Sequence, residues 1–542
     1  MLKNNIILKI DDTIVDIDND TAIGSTRSGF NFSSPNENKL SYTNSFSIPI
    51  TNKNDKILGF GSIVNNYTLN NTGDIYNFHN GEIYIDGILV LKGKCYVNNI
   101  QSNRININIV DARDIYDTFK NLDFITDSNS IVTVTSIIAN ELNTILTDAN
   151  KNSFTDVITY CVNGENEVWI PYASGTLFSE FPYEYIDENN ISSLESKSDD
   201  ELENYNNMVT EYITGNNIVG NYKTGHFYVN AKFLLETIYA SYNITLNIPD
   251  SLPNDYLRLP DLCLYYDAID DNYRFVANNT YRRSVGNDGT DLMTKNFLDF
   301  VKMYMQEYCI VCDIEYTQGN YVHNWNTFAS ISATNKIDLH STSKANNIEY
   351  KFDIPKKSWI CYSGLGNDED ASTIGGRTIY TFNESAKDSD DNTVLFTIDR
   401  YLASYMMFYD NDNTQYTNLL ATDNVDTCKE FILVQKGCQS IFTTTIKRYN
   451  SMNSSVSVSV VLYNAVQSTV GTTNYYDKYQ SIVYSPVVMN IEVKMNPYIL
   501  NSIKQYSIVS FDTVPGNWYI TEINNYNPRT DSTINVKAVL VR

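Results

Sequence analysis

Apolar side chains at alternate positions, in short runs bounded by turn residues, recur from one end of this chain to the other. Ile6, Leu8 and Ile10 alternate, and Thr13, Val15 and Ile17 do so again after Asp11-Asp12. A period of two puts every second side chain on one face of a pleated strand, so the pattern predicts half-buried β-sheet. Phe46, Ile48 and Ile50 alternate next, and Pro49, which has no amide hydrogen to donate, places that run at a sheet edge or a strand end. Ile83 and Ile85, a turn at Asp86-Gly87, and then Leu89 and Leu91 predict a hairpin, followed by Ile105, Ile107 and Ile109 on one face. Four or more consecutive strands between 6 and 111 build a small sheet or barrel. At the other end, Val488 to Val493, SIVSF, WYITEIN and TINVKAVLV continue the pattern, with turns predicted at Pro515-Gly516 and Asn527-Pro528.

The period changes to that of a helix in three places. Ile115, Phe119 and Leu122 share one stripe, Phe227, Ala231, Leu234, Leu235, Ile238 and Tyr242 a second, and Phe297, Phe300, Val301, Tyr304 and Tyr308 a third. A strand-like run follows each of the last two, ITLNI after 243 and IVCDIEY after 309, which predicts an α+β region in the middle of the chain. NPYILNSIKQ reads as a short turn or helix. Residues 179–222 are acidic and aperiodic, and 363–393 mix glycine with aspartate; both read as surface loops or insertions. FILVQ, IFTTTIKRY and SVSVSVVLY, between 431 and 463, are strands again, and no repeat of fixed period runs through the chain.

At 542 residues the chain exceeds one hydrophobic core, and size alone predicts three or four domains. The expected class is α+β, β-dominated, with tube- or hub-like β-barrel domains at both termini, an α+β middle region and loop insertions. The expected division is an N-terminal barrel over 1–125, a connecting region with the acidic insertion over 126–222, an α+β domain over 223–360, a strand-rich insertion over 361–485, and C-terminal strands over 486–542 that complete a barrel. Because the strands in 83–110 and in 488–541 end without a partner in their own segments, the first and last domains are expected to lie side by side.

Charge narrows the function. With 39 basic and 64 acidic residues the net charge is -25, opposite to the basic excess of a protein that grips a phosphate backbone. A like-charged wall would still let DNA pass without adhering. Forty-two tyrosines, with apolar rings and polar tips, suit strands and wet interfaces, although AT-rich codon usage accounts for the larger share of them. The N-terminal apolar run is too short for a secretion signal, and no stretch approaches the roughly 20 apolar residues of a bilayer span. Eight scattered cysteines are too sparse for a disulfide scaffold and suit a reducing cytoplasm.

Motifs that would carry chemistry are incomplete. Cys309-x-x-Cys312 lacks the second ligand pair of a zinc site and predicts buried free thiols. His79, His226, His323 and His340 stand in no H-E-x-x-H pattern and beside no G-x-S-x-G elbow. Gly364-Leu365-Gly366 lacks the rest of a dinucleotide fingerprint. Asp388, Asp390 and Asn392, and likewise Asp410 to Asn413, offer oxygens to Ca²⁺ but lack the glycine and distal glutamate of a closed loop, so solvated loops are expected. Acidic residues are too numerous for a glycosidase-like carboxylate pair to carry information. No catalytic, cofactor-binding or metal-binding residue is therefore assigned, and no cofactor is expected.

Several segments, in order, resemble tail hub-like proteins of phages of gut Bacteroidales, including crAss-like phages. KLSYTNSFSIPITNKNDKILGF is similar to a pattern near their start, and IYIDGILVLKGKCYVNNI to a strand pair that follows. YVNAKFLLETIYASYNITL and KNFLDFVKMYMQEYCIVCDI resemble two helices of their middle region, and WYITEINNYNPRTDSTINVKAVLVR their last two strands. The resemblance covers roughly the first quarter, the middle and the last tenth of the chain. It implies a non-enzymatic tail hub or ring component in the virion, assembled in the host bacterial cytoplasm. It further implies a homo-oligomeric ring, trimer or hexamer, that joins other phage tail proteins and lets genomic DNA pass without specific binding. The acidic stretch at 179–222 and the insert at 394–480 depart from the pattern and leave hub, ring and distal tip open. Two rivals stand beside this reading. A tail-associated peptidoglycan hydrolase would append a catalytic domain, whereas this sequence ends on a strand; a receptor- or carbohydrate-binding tail protein is permitted by the tyrosine and asparagine content but would be more repetitive.

Overall fold

Three tight turns, each with two consecutive left-handed residues, set the register of the first sheet. They are Asp11-Asp12 (φ 47° and 60°), Asp86-Gly87 (50° and 82°) and Ser102-Asn103 (52° and 60°). Positive φ at both central positions makes a type I′ turn, whose twist matches that of the strands it joins, and Asp, Asn and Gly adopt it at least cost. The structure, a computed structural model, describes residues 5–30, 41–58, 78–111, 113–124, 132–151, 227–259, 261–267, 272–277, 295–317, 320–332, 336–342, 346–350, 475–527 and 533–542, with short stretches between 153 and 224 and strand backbones between 357 and 462.

The N-terminal strands are β1 (Ile6–Ile10), β2 (Thr13–Ile14), β3 (Ser25–Ser28), β4 (Tyr42–Thr43), β5 (Phe46–Pro49), β6 (His79–Ile85), β7 (Ile88–Gln101) and β8 (Arg104–Asp111). Register places Ile6 opposite Ile85, Leu8 opposite Ile83, and Phe46 and Ile48 opposite Ile107 and Ile105. All of these side chains meet in one core with Cys95, Leu91 and Ile109, and that core draws its buried residues from this segment alone. The sheet therefore curls around its own apolar face. Each fully buried Leu or Ile contributes about 1.5–3 kcal/mol by leaving water. Pro49 ends β5, opposite Arg104, as its missing donor requires. Helix α1 (Asn52–Ile57), not foreseen from sequence, follows with the Thr51 side chain capping it.

Helices α2 (Arg113–Lys120), α3 (Val134–Asp148), α4 (Ala231–Ser241) and α5 (Phe297–Glu307) fill the middle region, with α6 (Asp477–Tyr484) and α7 (Pro497–Ser502) further on. Asparagine caps start three of them: Asn230 accepts from the Lys232 and Phe233 amides, Asn296 from Asp299 and Asn496 from Ile499. The three predicted stripes are present as α2, α4 and α5. In α4 the buried tyrosine is Tyr239, while Tyr242 stands at the C-cap and is 36% exposed. Ile115, Phe119, Ile138, Leu142, Leu235, Ile238, Phe297 and Phe300 share one large core, in which the Phe119 ring lies 4.9 Å from those of Tyr239 and Phe297. After α5 the chain forms the hairpin of β9 (Ile310–Thr317) and β10 (Asn320–Thr327), which Thr245–Asn247 joins in parallel. These are the two strand runs expected after the helices.

The remaining strands of the large sheet are β11 (Ile337–Leu339), β12 (Asn346–Glu349), β13 (Val488–Lys494), β14 (Ile508–Phe511), β15 (Val514–Tyr526) and β16 (Thr533–Val541). Met489, Ile491, Val493, Trp518, Ile520, Val536 and Ala538 pack into a third core with α7, while Val488, Tyr519 and Val539, on the opposite face, belong to the middle core. The C-terminal strands are thus buried on both faces. The expected turn at Pro515-Gly516 is three positions off: Asp512-Thr513 make the turn, Val514 pairs back to Phe511, and Gly516 (φ 115°) lies inside β15.

The two ends of the chain join. Ser25 pairs with Tyr526, Arg27 with Ile523 and Ser28 with Glu522, so β3 and β15 fuse both sets of strands into one 14-stranded sheet, β12-β13-β16-β15-β3-β4-β8-β7-β6-β1-β2, with β11, β14 and β5 off that path. The expected adjacency of first and last regions is this pairing. Among the described residues the path is open at both ends, so no closed barrel is formed by it. Among the described residues five smaller sheets, of three to five strands, make up the rest. The acidic stretch 179–221 lies outside the described residues, as does most of 363–391.

Candidate functional site

Three parts of the chain meet at Asp313. Strand β9 carries it inward on the face opposite Cys312 and Ile314, and its side chain is 1% exposed. The Arg27 guanidinium of β3 approaches to 3.7 Å, Lys504, just beyond α7, to 3.9 Å, and the Gln505 amide donates to Oδ1 at 2.9 Å. Burial pushes the Asp313 carboxyl above its usual range, while Arg27, the Gln505 amide and Lys504 pull the other way. Lys504 also pairs with Glu315 at 2.8 Å.

Neighbouring contacts repeat this three-way pattern. Arg27 donates to the Leu500 carbonyl at 2.7 Å, and the Gln505 side-chain amide donates to the Ser28 carbonyl. Tyr316 of β9 donates to the Asp111 carboxylate at the end of β8 and lies 3.2 Å from the Lys92 carbonyl of β7. Lys92 in turn sits 5.3 Å above the Tyr321 ring. Two cavities flank the joint. One, of about 80 Å³, is walled by Arg27, Phe30, Asp111, Tyr116, Asp313 and Gln505; the other, of about 210 Å³, by Arg27, Leu91, Asp111, Tyr316, Leu500 and Lys504. The joint holds elements together through charge and hydrogen bonds.

A second cluster has the residue types of a hydrolase and the wrong connectivity. Asp512, in the β14–β15 turn, accepts from the Ser341 amide at 2.8 Å, from the Ser341 hydroxyl, and from His340 Nδ1. A Ser–His–Asp triad needs the imidazole between hydroxyl and carboxylate. Here the carboxylate stands between the other two, and the Ser341 oxygen faces Thr513 at 2.5 Å. The Ser341 hydroxyl and amide pull the Asp512 carboxyl down to about 2, with His340 adding to the effect. The cluster ties residues 340–342 to the turn.

Residues singled out from sequence lie apart. Cys309 is buried at the α5–β9 junction, and burial pushes its thiol well above the usual range; Cys312 is half-buried, and both are free. His79 is buried against Asp11 at 2.6 Å. His323 is buried on β10 with the Tyr239 ring 5.3 Å away, and desolvation lowers its pKa to about 4. His226, Gly364, Leu365, Gly366, Asp388, Asp390 and Asp410 to Asn413 lie outside the described residues, as does the Asn392 side chain. Among the described residues no group of three His, Cys, Asp or Glu side chains could hold a metal ion, and no helix is long and apolar enough to cross a membrane. Arg27, Asp313, Lys504 and Tyr316 were not legible as a set, because nothing local in the sequence links positions hundreds of residues apart.

No protein-family model matches the chain, and no curated protein sequence is similar to it. Among solved structures it is similar to a 43 kDa tail protein of the prophage MuSo2 of Shewanella oneidensis, at 8% identity over 99% of this chain and 97% of that one, with a TM-score of 0.34. It is similar also to a tail protein of Neisseria meningitidis, at 6% identity over 99% and 96% of the two chains, with a TM-score of 0.35. The functional reading therefore rests on the chain's own sequence and geometry.

Proposed function

We propose that the chain is a structural, non-enzymatic subunit of a bacteriophage tail, a hub or ring protein that oligomerises around the DNA channel and connects neighbouring tail components in the virion. The observation that carries this reading is the β3–β15 pairing, which sets two curled sheet modules from opposite chain ends side by side on one shared framework. The described parts of the segments that resemble tail hub-like proteins fall on this framework, on α4 and α5, and on short strands next to those helices. In this reading the two curled halves are tube-like barrel domains, 1–125 and 486–542, the middle domain 223–360 hangs from the C-terminal half, and 126–222 and 361–485 are insertions.

Three or six copies would form a closed ring by a heterologous interface, one face of each copy meeting a different face of the next. The net charge of -25 gives such a ring a lumen that DNA crosses without adhering. A cryo-electron reconstruction of the tail tests the proposal. The expected result is a closed ring coaxial with the channel, with no clearing of peptidoglycan in a zymogram. A peripheral fibre, or a lumen lined mainly by lysine and arginine, would overturn it.

A further inference from the structure

The two oxygens of the Asp313 carboxylate are held unequally. Oδ1 accepts from the Gln505 amide at 2.9 Å and faces Arg27 at 3.7 Å. Oδ2 is buried and, among the described residues, accepts no hydrogen bond. It faces the Lys504 ammonium at 3.9 Å, beyond hydrogen-bond reach. A buried oxygen left in that state costs free energy and calls for a reason. The same ammonium lies 2.8 Å from Glu315. Asp313 and Glu315 stand two apart on β9, so the strand carries both carboxylates on one face, and Lys504, in the turn after α7, reaches both.

An amine beside a buried acid, with a second carboxylate touching the amine, is the set of groups that an amide-forming condensation needs. The amine attacks only once it has lost a proton, and the acid accepts attack only once it has gained one. Glu315, in contact with Nζ, is placed to carry that proton. Burial pushes the Asp313 carboxyl above its usual range, with Glu315 adding to the effect, against Arg27, the Gln505 amide and Lys504. The Gln505 amide and Arg27 face Oδ1, where negative charge develops during attack, as an oxyanion site must. Holding amine and acid together supplies the proximity that separate molecules lack.

We propose that Lys504 and Asp313 condense to a side-chain amide, an internal cross-link between β9 and the segment after α7, with Glu315 as the proton carrier. The Nζ–Cγ bond forms and the Cγ–Oδ2 bond breaks. Of the ammonium protons, one stays on the amide nitrogen and two leave with Oδ2 as water. Glu315 takes up one of these and passes it on, ending as it began. No oxidant, reductant or cofactor enters. The cavity of about 210 Å³, walled in part by Glu315 and Lys504, receives the water. Like a disulfide, the bond stabilises by restricting the unfolded chain. It is internal to one chain and does not depend on the tail reading.

The intact mass of the purified full-length protein under denaturing conditions tests the proposal, and the first reading needs no variant. The native sequence should weigh less than its sequence mass by one water, and a protease digest should contain a branched peptide joining Asp313 to Lys504. Lys504→Arg keeps the positive charge, but its guanidinium stays protonated and does not attack, so this variant should have the full mass. Glu315→Gln should slow bond formation by about a hundredfold or more, leaving freshly made protein largely at full mass. A native protein at full mass would mean that the groups form ion pairs only, and a water loss that persists in Lys504→Arg would mean that the bond lies elsewhere; either result overturns the proposal. Cross-linking as fast in Glu315→Gln as in the native protein would overturn the role of Glu315.

Discussion

The Tyr519 hydroxyl accepts the Phe30 amide at 3.1 Å and donates to the Gln505 carbonyl at 2.7 Å, so one side chain near the C-terminus satisfies backbone groups just after β3 and just after α7. Tyr519 is 1% exposed, and water cannot readily replace its hydroxyl. Tyr519→Phe should leave both backbone groups short of a partner and lower stability by about 1–3 kcal/mol. Urea denaturation of the variant against the native protein measures this.

Acid should destabilise the middle region through His323. Its folded pKa of about 4 lies below the ordinary 6.5, because burial disfavours the charged ring. Between those values the unfolded chain binds a proton that the folded chain refuses. The contribution is therefore full above about pH 6.5 and falls, by up to about 3 kcal/mol, as the pH drops toward 4. His323→Phe keeps a ring against Tyr239 and should flatten that part of the pH profile. Denaturation midpoints measured from neutral pH to about pH 4 would show it.

Asp512 acts in a lower window. Its folded pKa of about 2 lies below the ordinary 3.8, so its contribution is complete above the unfolded value and is lost as the pH falls through about 2. Asp512→Asn should remove this acid sensitivity and weaken the hold of Ser341 and His340 on the β14–β15 turn. Acid titration followed by tryptophan fluorescence is a suitable readout, since Trp518 lies in the same hairpin.

Gly93 permits the close approach of β7 and β8. A Cβ there would stand 1.9 Å from the Val110 carbonyl oxygen and 2.8 Å from the Asp111 Cα, both backbone atoms that cannot rotate away. Gly93→Ala should cost about 1–3 kcal/mol or more by forcing the strands apart. At Gly87 a Cβ meets open space but sits at φ 82°, so Gly87→Ala should cost only about 1 kcal/mol, through backbone strain. A thermal melt of the two variants should rank them in that order.

Much of the sheet was legible because strand burial has a period of two, a property of neighbouring residues alone. Ile105, Ile107 and Ile109 read as one buried face and are one. Helix α3 was not anticipated, although Val134, Ile138, Leu142 and Leu146 recur every four residues behind a Thr133 cap. Helix α6 lies inside a segment, 361–485, read as strand-rich.

By itself the sequence determined the strands at both ends, three helices, two of the I′ turns and an acidic chain with no complete catalytic motif. Those features depend on local periodicity, backbone preference and summed charge, which need no knowledge of what packs where. The tertiary structure alone decided that β3 pairs with β15, that the C-terminal strands are buried on both faces, and that Asp313 meets Arg27 and Lys504. A salt bridge across 286 positions of chain leaves no periodic trace. Its partners are chosen by where the sheets come to rest.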